Sequence, residues 1–262
     1  PTLTDMVKRW ESDPQYSHGF LVPAFSAYLL WSRKKMLTGP VYGSWHGLSL
    51  MVAAVALRAL GVIVYIGWFE ALSLLICFTG VVVAVAGWKG LRWAWPAVAF
   101  LGFMVPLPYA IQTTLSGSLQ RIATRISTYL LVASGVPAVA DGNVILLSND
   151  TQVGVVEACS GLGMLVTFFA LSTAVAVLLR AEPVWARVAV VASAIPVAVT
   201  TNVIRITVTG MLYDASQDAW ARWVFHDVAG WLMMPLALSM FFLLLWLLRR
   251  IVAPVRVELG TV

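Results

Sequence analysis

Long apolar runs separated by short polar stretches set the pattern of this chain. Seven runs, at about 19–31, 45–68, 71–88, 93–109, 160–179, 188–212 and 228–248, reach or approach the ~20 apolar residues a helix needs to cross a bilayer. The first is short and contains Pro23, so it either tilts or extends N-terminally through Tyr16, Ser17 and His18. Trp31, Trp45, Trp68, Trp88 and Trp93 fall at the ends of runs, where an interfacial aromatic belt places them. Between 109 and 157 the chain does not span. From about 114 to 134, Leu115, Leu119, Ile122, Ile126 and Leu130 recur at helical spacing with Gln120, Arg121 and Arg125 among them, which predicts an interfacial amphipathic helix. Gly135 and Pro137 end it. Asn143-Val144-Ile145-Leu146-Leu147 and Gln152-Val153-Gly154-Val155-Val156, split by Ser148-Asn149-Asp150, predict a small outer β-hairpin.

Composition agrees with this pattern. Of 262 residues 60% are hydrophobic and 11% charged, against about 25% charged in soluble domains. The expected fold is therefore an all-α polytopic membrane protein, a single domain over residues 1–262. The net charge of +5 does not point to nucleic acid, because the basic residues are spread through short loops rather than gathered in a stripe with aromatics. They mark orientation instead. Arg33, Lys34 and Lys35, then Lys89 and Arg92, then Arg180 and Arg187, then Arg249, Arg250 and Arg256 occupy alternate loops, which the positive-inside rule puts in the cytoplasm. Asp13, Glu70, Asp141, Asp150, Glu157, Asp214, Asp218 and Asp227 fall on the other face. The segment before Cys159 and the loop before His226 thus face outward. The two cysteines imply no disulfide framework, and Cys77, within Leu74-Leu75-Ile76-Cys77-Phe78, reads as a small hydrophobe. Because the first residue is Pro1 rather than Met, an N-terminal truncation is expected.

Three polar residues recur at comparable depth. Cys159 sits where a polar segment becomes an apolar helix, and a helix N-terminus or a nearby cation favours the thiolate. A small residue at a helix start is the ordinary reading of one isolated cysteine, but Ser160, Gly161 and Gly163 around it leave room for a substrate backbone. Arg205 interrupts an apolar helix, where a charge costs about 2.5 kcal/mol or more at mid-membrane. Counted from Arg187, it rises roughly 27 Å and reaches the outer face. Asn202, one turn earlier, argues for a buried polar site rather than a snorkelling arginine. His226 opens the last run, and its ordinary pKa near 6.5 suits acid–base work. Arg58 also falls inside a run, without a polar neighbour, and reads as snorkelling or structural. The three residues on consecutive outer helix ends point to cysteine nucleophile chemistry at the outer membrane face. His18 is a further outer-face candidate, for substrate contact or for packing, and Asn202 is a second candidate for substrate contact. No cluster with metal-ligand spacing and no glycine-rich phosphate loop is present, so no cofactor is expected. The rival reading is a transporter or channel binding an anion through Arg205, Arg58 and Asn202, whose activity would survive Cys159→Ala.

The chain resembles the exosortases, multi-pass cysteine transpeptidases of bacterial inner membranes. Asp13-Pro14-Gln15-Tyr16-Ser17-His18-Gly19-Phe20-Leu21-Val22-Pro23 is similar to their N-terminal motif. Val105-Pro106-Leu107-Pro108, Gly135-Val136-Pro137 and Gly142-Asn143-Val144-Ile145 follow in the family's order. Glu157-Ala158-Cys159-Ser160-Gly161-Leu162 resembles the nucleophile signature, and Ile195-Pro196, Asn202-Val203-Ile204-Arg205-Ile206 and His226-Asp227-Val228-Ala229-Gly230-Trp231 resemble the later motifs. Gly163 stands where the family often has a basic residue. The resemblance implies that Cys159 is the nucleophile with Arg205 and His226 as partners. It implies substrates that are exported proteins ending in a Pro-Glu-Pro-type motif, a membrane helix and a basic tail, with an acceptor nucleophile to finish the reaction. It also implies a further span upstream, giving eight in the full protein.

Overall fold

A computed structural model of the chain describes residues 2–38, 40–148, 152–154, 161–179, 182–215, 232, 235–247 and 250. The chain divides into two compact units, residues 1–116 and 117–262. The boundary falls inside α5 (Tyr109–Ala133).

The first unit begins with α1 (Thr2–Ser12), a polar helix that buries Met6 and Trp10 from one face. A 3-10 segment, Pro14–Phe20, then leads into α2 (Leu21–Ser32). Helical structure thus begins upstream of Leu21, with Tyr16, Ser17 and His18 in the 3-10 segment. Next come α3 (Trp45–Ile63) and α4 (Gly67–Leu101). Ser44 caps α3, its side chain accepting from the His46 backbone N–H. Small residues let α3 and α4 approach backbone to backbone, as membrane helices do. A Cβ on Gly47 would collide with the Ala84 backbone, and one on Gly80 would lie 2.8 Å from Met51 Cγ.

A straight helix of the 38 residues Gly67–Met104 would be about 57 Å long, nearly twice a bilayer core. The chain instead breaks at Gly87, in a conformation (φ 61°, ψ −162°) far from helical. Two observations show that it reverses there. A Cβ on Gly90 would lie 3.5 Å from the Val82 carbonyl oxygen, eight residues back, and Gly67 and Pro106 line one cavity of about 290 Å³ with Asp5, Arg9 and Glu70. The runs at 71–88 and 93–109 are the arms of this hairpin. The second arm stops earlier than the sequence pattern suggests, because a 3-10 turn at Gly102–Met104 runs into Pro106 and Pro108. α2 lies antiparallel to that arm: Arg33 at its C-terminus meets Arg92 and Trp93, while the Phe25 ring sits 4.7 Å from Phe100.

Prolines explain the polar contacts of this unit. Pro96 has no N–H to give the Arg92 carbonyl, and Arg33 Nη2 donates to that oxygen at 3.2 Å, with Nε donating to Trp93 O at 3.0 Å. Pro108 cannot serve the Met104 carbonyl, which accepts from Trp10 Nε1 at 3.3 Å. Pro106 leaves Phe103 O without its i+3 donor, and His18 Nε2 lies 3.2 Å from it. The Tyr16 hydroxyl donates to Gln112 Oε1 at 3.2 Å. Burial pushes the Tyr16 phenol above its ordinary range, so it stays protonated and donating.

In the second unit the C-terminal part of α5 is inverted relative to a soluble helix. It buries Gln120, Thr124 and Ser127 and exposes Ile122, Ile126, Tyr129 and Leu130. Helices that face lipid pack this way, with small and polar residues inside. The helix ends at Ala133, before Gly135 and Pro137. A three-stranded antiparallel sheet follows, in the order β1 (Ala138–Asp141), β2 (Val144–Leu147), β3 (Gln152–Gly154). The predicted hairpin is β2 with β3, in the register Val144↔Gly154. β1 is an addition. Asp141 pairs with Val144, leaving Gly142-Asn143 as a two-residue turn, and Ala138-Val139-Ala140 carries too little apolar volume to stand out as a strand in the sequence. Ile145, Leu147 and Val153 pack onto Ala123 and Leu131 of α5 and onto Val203 and Ile206 of a later helix.

The remaining helices are α6 (Leu162–Leu178), α7 (Val184–Ala192), α8 (Ala194–Ala215) and α9 (Pro235–Leu247). Phe168, Ala194, Val197 and Ala237 form one core among them, and Ala176, Val190 and Phe241 a second. Arg187 Nε donates at 2.8 Å to Ala176 O, one of the carbonyls the C-terminus of α6 leaves open.

By length and composition, three helical stretches among the described residues can cross a membrane: Trp45–Ile63, Gly67–Met104 and Val184–Ala215. Leu162–Leu178 and Pro235–Leu247 are shorter apolar helices. The architecture is mostly helical with one small sheet.

Candidate functional site

Cys159 and His226 lie outside the described residues, within 155–160 and 216–231. The chain on either side of Cys159 is fixed to one scaffold. Upstream, β3 ends at Gly154, paired with Val144 and held on the α5–α8 core through Val153. Downstream, Gly161 precedes the first residue of α6 in a left-handed conformation, φ 79° and ψ 0°. A Cβ there would lie 3.0 Å from both Cγ and Nδ2 of Asn202. The segment bearing the cysteine therefore starts from a strand that packs on α8 and ends against a side chain of α8.

The polar positions of α8 are set by what surrounds them. Thr201 and Asn202 are 0% and 2% exposed, and Val203 and Ile206 are buried under the sheet. Arg205, the third residue after Asn202, is half-buried. Ser127 Oγ of α5 donates to Val203 O at 3.2 Å, and Thr207 Oγ1 donates to the same oxygen at 2.8 Å. Thr201 Oγ1 donates to Met240 Sδ of α9 at 3.6 Å. Asn143 Nδ2 in the β1–β2 turn donates to Gln120 Oε1 at 2.6 Å, tying the sheet to α5. A cavity of about 10 Å³, lined by Leu119, Ala123, Gly161, Ala198, Val199 and Asn202, is at the lower limit for one water molecule.

Of the residues singled out in the sequence, the structure brings Asn202 and Arg205 together on one face of α8 and sets Asn202 against the turn after Cys159. His18 belongs to the other unit, where it is 7% exposed and faces the Phe103 carbonyl. Arg58 is exposed on α3. Gln120, visible in the sequence only as a polar position of an amphipathic helix, and Ser127 hold the sheet and α8 in place. Their signal is the spacing Ser116, Gln120, Thr124, Ser127, a polar stripe at helical period beside a more regular apolar one. Among the described residues no group of three His, Cys, Asp or Glu side chains is placed to hold a metal ion.

A family model described as transmembrane exosortase (Exosortase_EpsH) matches residues 10–243. No curated protein and no solved structure matches the chain.

Proposed function

We propose, from the premise that this chain belongs to the transmembrane exosortase family, that it is a membrane-embedded cysteine transpeptidase acting at the outer face of the bacterial inner membrane. Its substrates are exported proteins with a C-terminal sorting tail: a Pro-Glu-Pro-type motif, a membrane helix and a basic cluster. The tail helix enters the bilayer beside the enzyme and brings its motif to the outer surface. His226 takes the proton from Cys159 Sγ, and the thiolate attacks the scissile carbonyl carbon. Arg205 offsets the negative charge, first of the thiolate and then of the tetrahedral oxyanion. Collapse of that intermediate breaks the C–N bond, and His226 returns the proton to the leaving amine of the tail. The remaining thioester passes its acyl group to an acceptor nucleophile, an amine or hydroxyl in transpeptidation and water in hydrolysis.

The observation that supports this reading most is the contact between Asn202 and Gly161. It joins the helix carrying Arg205 to the turn two residues beyond Cys159, and the family match spans Cys159, Arg205 and His226.

The test is to co-express Cys159→Ala with a tail-bearing substrate in cells. The variant is expected to leave the tail uncleaved while accumulating in the membrane like the parent. Continued tail removal would overturn the nucleophile assignment. Mass spectrometry of the parent's product then distinguishes a free carboxylate from a new amide or ester.

A further inference from the structure

We propose that Asn202 is a positioning residue for the nucleophile, acting through Gly161. The inference rests on Cys159 being that nucleophile.

The turn that follows Cys159 has two constraints. Its backbone is left-handed at Gly161 (φ 79°), a conformation that L side chains rarely adopt. The space a Cβ would need is already filled by the Asn202 amide, 3.0 Å away. Asn202 cannot retreat freely, because it is 2% exposed and shares its helix turn with Thr201, which is fully buried. Beside it lies a cavity of about 10 Å³, walled by Leu119 and Ala123 of α5 and Ala198 and Val199 of α8. The amide is thus a stop that limits how closely Gly161 approaches α8. Arg205 is three residues further along the same rigid helix, a rise of about 4.5 Å. One helix therefore carries the cation and, through Asn202, meets Gly161, the second residue after the thiol.

The residue type fits this role. An amide has the volume to fill the space, polarity that suits a turn made of backbone dipoles, and no charge. A carboxylate of the same shape would put a negative charge against Gly161, two residues along the chain from Cys159, and so disfavour a thiolate there. Alanine would leave the turn without its stop. Direct contact with substrate, the role the sequence suggested for Asn202, is not needed to explain a side chain this buried.

The experiment uses the full chain in proteoliposomes with Cys77→Ala as background, so that Cys159 is the single thiol, and iodoacetamide as the probe. Asn202→Asp keeps the shape. It is expected to raise the pH midpoint of alkylation by about one unit and to lower kcat on a tail-bearing substrate at least tenfold, with KM changed less than about twofold. Asn202→Ala is expected to lower kcat similarly. Gly161→Ala should do the same, and adding Asn202→Ala to it should cost less than the two single changes combined, since it removes the amide that the new Cβ would meet. An Asn202→Asp midpoint equal to the parent's overturns the proposal, as does strict additivity of the Gly161 and Asn202 changes. If Asn202→Ala fails to accumulate, Asn202→Asp alone decides. Cys159→Ala separates the two levels: tail removal that survives it overturns the nucleophile reading and this inference together. Loss of tail removal in Cys159→Ala, with a parental midpoint in Asn202→Asp, overturns this inference alone.

Discussion

Both units of the molecule place polar side chains inside an apolar chain, and they do so for different reasons. In residues 1–116, Arg33, Trp10 and His18 each meet a backbone carbonyl that has lost a donor to Pro96, Pro108 or Pro106. Each contact is a local repair, and its cause can be pointed to in the sequence. In residues 117–262 the contact of Ser127 on α5 with α8 answers no such defect. Ser127 donates to Val203 O although Thr207, four residues on, keeps its own N–H, and the Asn202 side chain packs against Gly161. Burying polar groups costs free energy unless they are hydrogen-bonded, so a polar contact with no backbone fault to mend calls for another reason, either close packing between helices or the proposed reaction. The comparison teaches that a buried polar residue is informative only after its structural debts have been subtracted.

The sharpest way to break this contrast is at Arg205. If it serves the reaction, Arg205→Ala lowers tail removal by about 10²–10³-fold, as loss of an oxyanion donor does, with no change in the amount of protein in the membrane. Arg205→Lys keeps the charge but not the planar fork, so its recovery measures how much of the effect is charge alone. Equal loss of protein and activity in both variants, read by immunoblot beside the processing assay, would return Arg205 to the structural class.

Gly47 tests the opposite unit where no polar group is involved. The Ala84 backbone occupies the space of any side chain at 47, so Gly47→Leu forces the α3–α4 hairpin apart. The expected cost is at least about 3 kcal/mol, seen as loss of folded protein on thermal unfolding in detergent. The processing rate of whatever remains folded should be close to the parent's.

The sequence made some of this legible and hid the rest for identifiable reasons. Apolar runs located α3, both arms of α4, α6 and α8, because a membrane helix needs little beyond length and hydropathy. Pro106 and Gly135 with Pro137 announced where helices stop. Spacing alone did not reveal that α5 turns its polar stripe inward, since amphipathicity fixes a face but not which side the protein covers. β1 escaped because Ala138-Val139-Ala140 is small and short, and its turn residues read as a loop. The packing of Asn202 on Gly161 is a contact across 41 positions that no local pattern encodes. Arg205 was visible as a charge in an apolar run, and Cys159 and His226 through their motifs; these two residues fall outside the described chain.

A smaller effect is expected at His18 and Trp10. His18→Phe and Trp10→Phe each leave a carbonyl without its side-chain donor, a loss of about 1–3 kcal/mol. Unfolding temperature should fall while processing per folded molecule stays within about twofold. A His18→Phe variant that unfolds normally but shows a raised KM would make His18 a substrate contact, and the contrast between the units would weaken.

The smallest effect isolates a single proline-made defect. Arg33→Ala removes the donors to Arg92 O and Trp93 O, for about 1 kcal/mol. Arg33→Lys keeps the charge that orients the chain but offers a compact ammonium in place of the two-pronged guanidinium, which separates topology from hydrogen bonding. If the defect at Pro96 is the reason for the contact, Pro96→Ala restores an N–H to the Arg92 carbonyl. The cost of Arg33→Ala should then shrink in the Pro96→Ala background, leaving only the part owed to Trp93 O, whose helical donor Ala97 was present throughout. A double-mutant cycle on unfolding free energies measures the difference, with a coupling of at least about 0.5 kcal/mol expected for residues that share one acceptor. Zero coupling would mean that Arg33 stays at the second arm of α4 for its charge alone, and that the proline account of this unit's polar residues holds for Trp10 and His18 only.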